Sequence, residues 1–263
     1  MEKIYGEMNP EERRELVEHL ANAAEEGISK IGFTSWDHFA QTVRESAQQF
    51  GQLLKFGIDV LIESHRLMKF PIGELAKHGW YMSPDMSVTS IAETGKLFSS
   101  GRVLEADQQM VAFFKNNESR IEGTLNEHFP ARAPIIKRAF DAHRRGYYEL
   151  SIPVMLAQAD GICFELIGKP LYQKRYSSPL TAHFADRFGA AAVLSPSLEP
   201  LRRVGQITVD SKEVQSVPGI LNRHGILHGS IIDYATPINS YKVISLLSYL
   251  AETVREAAKG KTA

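Results

Sequence analysis

The densest group of side chains that could do chemistry lies in one short stretch of the second half of the chain. Its members are polar or ionisable: Asn222, Arg223, His224, His228, Asp233 and Tyr234. They are interleaved with Ile226, Leu227 and Ile231, so folding tends to bury them, and buried polar groups are costly unless they are paired. The stretch therefore holds either a functional site or a network of structural hydrogen bonds.

Arg223 and His228 are separated by four residues, which suggests phosphodiester chemistry. A guanidinium binds a phosphate through two parallel hydrogen bonds and stabilises the charge that develops on it. An imidazole can take a proton from a ribose 2′-hydroxyl or give one to the leaving oxygen. Five positions advance a helix by about 140°, so the two side chains converge only if the helix ends near Gly229 or if two subunits share a cleft.

Two other interpretations of this stretch stay open. Arg223 and His228 could be structural residues that cap loops or bond to Asp233 and Tyr234. Alternatively, His224 and His228 could bind zinc, because residues four apart share one side of a helix and Asp233 could supply a third ligand. Two histidines are too few for a zinc site on their own, so we expect no metal and no cofactor.

The Arg-x4-His spacing also occurs at Arg14/His19 and at Arg138/His143, so the spacing by itself carries little information. Arg14/His19 belongs to a charged helix of the kind that faces solvent. The other pair belongs to a basic group at a predicted helix end, where positive charge is favourable and could add phosphate contacts. That group comprises Arg138, His143, Arg144 and Arg145.

The string Asn222-Arg223-His224-x-x-Leu227-His228-Gly229, followed by Asp233-Tyr234 and Asn239-Ser240-x-Lys242, resembles a motif of bacterial helical proteins of the HEPN type. The apolar segment over residues 148–162 resembles the same group. The HEPN motif is an arginine, usually followed by a polar residue, and then a histidine after four to six intervening residues. The resemblance covers roughly residues 135–250.

The resemblance implies a helical bundle that often forms a homodimer, with the motif at the dimer cleft. Catalytic members of the family are metal-independent endoribonucleases, many of them in toxin–antitoxin, CRISPR or phage-defence systems. Carried onto this chain, Arg223 would stabilise the phosphate, His228 would act as acid or base, and His224 would shape the site. RNA and a protein such as an antitoxin are the implied partners. The alternative is a non-catalytic helical module that binds a protein or a nucleotide.

The elements that position these residues are predicted to be helices, because apolar residues recur with a helical period along nearly the whole chain. We expect an all-α multi-helix bundle. Region 1–130 is a helical region of unknown function and region 131–263 is the HEPN-like bundle. Helices are predicted over 9–27, 35–68, 87–99, 103–115, 118–128, 135–146, 148–167, 180–193, 220–227 and 236–258.

Two further local predictions bear on the site. Residues 71–84 and 195–219 are predicted to be loops, because prolines and glycines punctuate both, and the second could hold a short strand. Asp160 is an acid within an apolar helix, so we expect it to cap a loop or to pair with an arginine.

Composition excludes several classes of protein. The chain has 263 residues, with 30 basic and 31 acidic side chains, which excludes a strongly basic nucleic-acid coat protein but leaves room for a local basic groove. A single cysteine, Cys163, excludes an internal disulfide and favours a reducing compartment. We find no secretory signal, and no apolar stretch approaches the roughly 20 residues of a membrane span. A cytoplasmic protein is the expectation.

Overall fold

The computed structural model describes residue 11 and residues 68–176, 178–188, 195–209 and 219–259. From residue 68 onward they belong to one compact unit, Leu67–Ala263. The helices predicted over 9–27 and 35–68 lie almost entirely outside the described residues. The predicted division near residue 130 falls inside this unit, between two of its helices, and stays a prediction.

The predicted all-α fold is confirmed, since the described elements are helices apart from one antiparallel hairpin, β1 (Lys174–Arg175) and β2 (Ser178–Pro179). The α-helices are α1 (Val88–Ser99), α2 (Val103–His128), α3 (Ala133–Arg144), α4 (Tyr148–Ile167), α5 (Ala182–Asp186), α6 (Arg223–Leu227), α7 (Pro237–Tyr249) and α8 (Arg255–Lys259). Residues 68–77 are also helical. A 3₁₀ helix covers Glu199–Arg202, and a π-helical turn, Leu250–Val254, joins α7 to α8.

Helix α7 is the centre of the unit. All its residues from Asn239 to Tyr249 are buried, and it packs most extensively on α4 and α2, while α3 packs on α4. A helix buried on every side must find a partner for each of its polar side chains. The contacts of those side chains therefore join α7 to the segments around it.

Two of these contacts hold segments distant in the sequence. Ser245 Oγ accepts a hydrogen bond from the backbone N–H of Tyr81 at 3.1 Å. Tyr249 donates from its hydroxyl to the carbonyl of Ser197 at 2.8 Å. The turn after the 68–77 helix and the turn before the 3₁₀ helix are thus attached to the central helix.

A buried ion pair joins α7 to α2. Lys242 Nζ lies 3.9 Å from Asp107 Oδ1, and the indole N–H of Trp80 donates to the same oxygen at 2.7 Å. Burial lowers the pKa of Lys242, and the negative charge of Asp107 opposes that shift. The pair keeps a charged amine inside the core because the carboxylate lies beside it.

Two predictions near α2 were wrong. The helices expected over 103–115 and 118–128 are one helix, because the residues between them include neither glycine nor proline, and Asn117 donates to the carbonyl of Phe113 at 2.9 Å within the helix. The loop expected over 71–84 is helical as far as residue 77. Pro71 lies in this helix and packs closely on Gly95 of α1.

The region after α4 is less helical than expected. Of the helix predicted over 180–193, only the five residues of α5 are helical among the described residues. Residues 189–194 lie outside the described residues. The alternating residues near 207 form a turn and not a strand. The N–H groups of Thr208 and Val209 both donate back to the carbonyl of Gly205 at 2.9 Å.

By length and composition alone, α4 could cross a membrane, since it has 20 residues and a mean hydropathy of 1.5. This corrects the expectation that no segment approaches such a span. Seven of its residues are buried in the unit, against neighbours that include α3 and α7. Burial of this extent is compatible with a helix of a soluble protein.

The approach of Pro71 to α1 gives a test of the packing. A Cβ on Gly95 would lie 2.6 Å from Pro71 Cα, whereas a Cβ on Gly123 in α2 meets nothing within 4 Å. We expect Gly95→Ala to lower the free energy of unfolding by about 1–3 kcal/mol through overpacking. Gly123→Ala should raise it by roughly 0.5–1 kcal/mol because alanine favours the helix. Urea unfolding of both variants measures this, and equal effects would contradict the close contact.

Candidate functional site

Asn222 builds the start of α6. It is fully buried, and its Oδ1 accepts from the backbone N–H of Gly225 at 2.8 Å as the N-cap. Its Nδ2 donates to the carbonyls of Gln206 at 3.3 Å and Val209 at 2.9 Å. This predicted binding residue therefore fixes the helix that carries Arg223 and attaches it to the 205–209 turn.

Residues 222–234, here called the motif segment, run antiparallel along α4. Arg223 at the start of the segment lies near Asp160 in the second half of α4. Tyr234 at its end donates from its hydroxyl to the carbonyl of Glu149 in the first turn of α4, at 3.2 Å. Both ends of the segment are thus positioned against one helix.

The end of the motif segment is closed by hydrogen bonds to Gly219. Asp233 Oδ2 accepts from the N–H of Gly219 at 2.7 Å. Asn239 in the first turn of α7 donates from its Nδ2 to the carbonyls of Gly219 at 2.8 Å and Tyr234 at 2.9 Å. Asp233 and Tyr234, both predicted binding residues, therefore make structural contacts in this structure.

The side chain of Arg223 is held in place without donating a hydrogen bond to any described residue. Its guanidinium lies 5.1 Å from the centre of the Tyr172 ring, and its Nη2 lies 4.0 Å from Asp160 Oδ2. Its Nε is buried and has no acceptor among the described residues. The side chain remains 30% exposed. The structure thus presents an oriented, partly exposed guanidinium whose buried Nε–H is unpaired among the described residues.

Two residues that position Arg223 are themselves fixed. Asp160 Oδ1 accepts from the backbone N–H of Leu171 at 2.8 Å, and Tyr172 donates from its hydroxyl to the carbonyl of Leu156 at 3.0 Å. The expectation that Asp160 caps a loop or pairs with an arginine is met in both respects. The sequence pattern did not identify Tyr172, because its role depends on the turn after α4.

The two histidines of the motif lie on the surface. His224 and His228 are both exposed, and their ring centres are 4.3 Å apart. His228 is the C-cap residue of α6, so it stands at the opposite end of the helix from Arg223. Within the described part of the chain, no group of three His, Cys, Asp or Glu side chains could hold a metal ion.

The basic group of α3 is arranged differently from the motif segment. Arg138 and Arg145 are exposed, whereas Arg144 forms ion pairs with Glu118, Glu122 and Asp141 at 2.5–3.3 Å. Helix α6 packs on α4, while the most extensive contacts of α3 are with α4 and α2. The guanidinium of Arg144 is therefore already occupied by carboxylates.

His143 belongs to a buried network that the sequence did not reveal. Its Nδ1 lies 2.7 Å from Ser240 Oγ, and its Nε2 lies 3.4 Å from Glu118 Oε2. Ser240 Oγ is also 3.3 Å from Ser151 Oγ. The order carboxylate, imidazole, hydroxyl resembles a hydrolase triad, but Ser240 is fully buried and no substrate reaches it. Because its members belong to α2, α3, α4 and α7, the network holds these four helices together.

Comparison with protein-family models, curated proteins and solved structures gives no match for this chain. The resemblance to HEPN proteins therefore continues to depend on the motif residues, and it stays a prediction.

The burial of His143 predicts a loss of stability in acid. Burial lowers the pKa of His143 below 6.5, and the Glu118 carboxylate opposes that shift. The folded state therefore binds fewer protons than the unfolded state below about pH 6.5, so stability is present above that pH and declines below it. We expect the urea midpoint to fall from pH 7.5 to pH 5.5, and to fall less in His143→Gln.

The matched control is His183→Gln, because His183 lies exposed on α5. This variant should keep the pH dependence of the wild type, whereas His143→Gln should also lose roughly 1–3 kcal/mol at pH 7.5 from the broken network. A wild-type pH profile in His143→Gln would show that this imidazole does not couple protonation to folding.

Proposed function

We propose that the chain is a metal-independent endoribonuclease whose C-terminal half is HEPN-like, with Arg223 stabilising the phosphate and His228 acting as acid or base. The observation that carries the proposal is the state of Arg223. An aromatic ring and a carboxylate orient its guanidinium, yet its N–H groups have no hydrogen-bond acceptor in the described part of the chain. A phosphate oxygen is the acceptor that such a fork fits best.

Other arginines of the unit show the contrast. Arg132 donates to Gln158 and Glu165 at 2.6–3.1 Å, and Arg202 donates to Asp186 and to backbone carbonyls. Those guanidiniums are used in holding the fold. Arg223 is oriented by Tyr172 and Asp160, but its side chain makes no hydrogen bond within the described residues, which supports a role in binding phosphate.

His228 supports the same proposal through its accessibility. It is exposed at the end of α6. In the proposed reaction it accepts the proton of a ribose 2′-hydroxyl, whose oxygen attacks the adjacent phosphorus. The bond from phosphorus to the 5′-oxygen breaks, and that oxygen takes a proton from a second imidazole, His228 of the partner subunit. The products are a 2′,3′-cyclic phosphate and a free 5′-hydroxyl.

A homodimer is part of the proposal because α4 presents an apolar stripe to solvent. Tyr147, Leu150 and Val154 are 37–58% exposed, and Ala157 is also exposed. Their spacing of three, four and three residues is that of a helix–helix seam. The motif segment runs along the same helix, so pairing of two α4 helices would bring two motif segments to one interface.

We also propose a cytoplasmic setting in bacterial defence or in a toxin–antitoxin pair, with an antitoxin-like protein as partner. Cys163 supports a reducing compartment, since it is free and buried. An endoribonuclease acting on cellular RNA needs restraint, and a protein that covers Arg223 and His228 would supply it.

The second candidate is a non-catalytic module in which the motif holds the bundle together. It is favoured by the structural contacts of Asn222, Asp233 and Tyr234. On this view Arg223 serves to stabilise the contact between α6 and α4. The two candidates differ in what the loss of Arg223 should do to RNA cleavage and to stability.

Cleavage of single-stranded RNA in the presence of EDTA tests the proposed activity. We expect Arg223→Ala and His228→Ala each to lower the cleavage rate at least 100-fold, because one loses phosphate stabilisation and the other loses proton transfer. The control His183→Ala removes an exposed histidine from α5 and should cleave like the wild type. Gel analysis of end-labelled RNA gives the rates.

The same variants separate the two candidates. Melting temperatures should change little, because the Arg223 side chain makes no hydrogen bond in the described part of the chain and His228 is exposed. A large fall in melting temperature for Arg223→Ala, with no cleavage by the wild type, would favour the structural module instead.

The apolar stripe of α4 predicts a charge-sensitive dimer. Val154→Glu places a carboxylate in the centre of the stripe, so we expect the protein to elute as a monomer and to lose cleavage. Leu104→Glu is the matched control, since Leu104 is 73% exposed on α2. Light scattering coupled to gel filtration gives the mass, and a Val154→Glu dimer would exclude this interface.

A further inference from the structure

We propose that a groove beside Arg223 binds a guanine base and gives the enzyme its base preference. The inference rests on the proposed function, because the base is taken to belong to a nucleotide of the RNA substrate. The groove has a volume of about 300 Å³, at the small end of the range for ligand sites. The residues that line this base groove are Arg132, Asp160, Gly161, Phe164, Glu165 and Pro170.

The base groove is connected to the phosphate-binding residue through Asp160. This carboxylate lines the groove, and its Oδ2 lies 4.0 Å from Nη2 of Arg223. A phosphate bound at Arg223 therefore lies next to the groove. The base of a nucleotide attached to that phosphate is the group best placed to enter it.

Two flat groups of the groove suit a planar ligand. The Phe164 side chain is 58% exposed, and its ring stacks on no other aromatic ring of the described residues. The guanidinium of Arg132 lies directly against the backbone of α4, since a Cβ on Gly161 would be 2.5 Å from Arg132 Nη2. Exposed bases of single-stranded RNA stack on such aromatic rings and guanidinium planes.

The groove offers hydrogen-bond acceptors that the protein leaves open. Asp160 Oδ1 accepts from Leu171, and Glu165 Oε1 accepts from Arg132 at 2.6 Å and 3.1 Å. The second oxygen of each carboxylate, Asp160 Oδ2 and Glu165 Oε2, receives no hydrogen bond from the residues that the structure describes. Two carboxylate oxygens can therefore accept from a ligand.

Carboxylates select among bases by their chemistry, because an ionised carboxylate only accepts hydrogen bonds. On its Watson–Crick edge guanine presents two adjacent donors, the ring N1–H and the exocyclic amino group. Adenine and cytosine present only an amino group there, and uracil presents only a ring N–H. Two carboxylates that line the same groove as an exposed aromatic ring therefore favour guanine over the other three bases.

Binding of mononucleotides tests the groove separately from RNA cleavage. Isothermal titration of the full chain with GMP, AMP, CMP and UMP should show GMP binding at least tenfold more tightly than the others. Glu165→Gln should reduce that preference at least fivefold, because the amide retains only one acceptor and adds a donor. Phe164→Leu should weaken binding of GMP at least fivefold by removing the stacking surface.

Matched variants control for changes of charge and exposure. Phe70→Leu replaces a phenylalanine of equal exposure, 60%, in the 68–77 helix. Glu256→Gln replaces an exposed glutamate that is likewise paired, in its case with Lys259 on α8. Both should bind GMP like the wild type.

The second arm uses RNA oligonucleotides that contain one guanine, cleaved in EDTA. Cleavage next to that guanine, with the preference reduced in Glu165→Gln, would support the groove within the proposed enzyme. Selective GMP binding without RNA cleavage would keep the groove and overturn the ribonuclease. Cleavage that needs Arg223 but shows no base preference would keep the ribonuclease and overturn the groove. Equal affinity for all four nucleotides, or no binding and no cleavage, would overturn the groove as well.

Discussion

The structure depends on the burial of α7 from Asn239 to Tyr249. A helix with no solvent-facing side can include serines, an asparagine and a lysine only if surrounding segments provide partners for them. Ser240 meets His143, Lys242 meets Asp107, and Ser245 meets the backbone of Tyr81. These three polar residues of α7 each fix the position of one neighbouring segment, so the central helix sets the arrangement of the bundle as well as filling its core.

The candidate site follows from that arrangement. Asn239, in the first turn of α7, forms hydrogen bonds that hold the end of the motif segment. Helix α4 packs on α7, and Asp160 lies in the second half of α4. Arg223 is then oriented by Asp160 and by Tyr172, which belongs to the turn after α4. The orientation of the Arg223 side chain is therefore set by Asp160 and Tyr172, which are themselves held in place by hydrogen bonds. Such support is what a functional group needs if its geometry is to be maintained.

The sequence was sufficient wherever local rules decide the structure. The bounds of α4, the starts of the helices near residues 87 and 236 and the all-α class follow from the helical period of the apolar residues. The sequence was insufficient wherever contacts between distant segments determine the structure. Nothing local shows that His143 faces Ser240 across the core, or that the segment with Pro71 is a helix that packs on α1. The motif was visible in the sequence, whereas the neighbours that orient it come from packing.

The way in which the motif segment is fastened has an evolutionary consequence. Asn222, Tyr234 and Asn239 all donate from side chains, and each of these bonds ends on a backbone carbonyl. A carbonyl is present whatever residue carries it, so the accepting positions can change identity while the contact remains. Divergent descendants of this chain should therefore keep the three donor residues and vary freely at the accepting positions Val209 and Glu149.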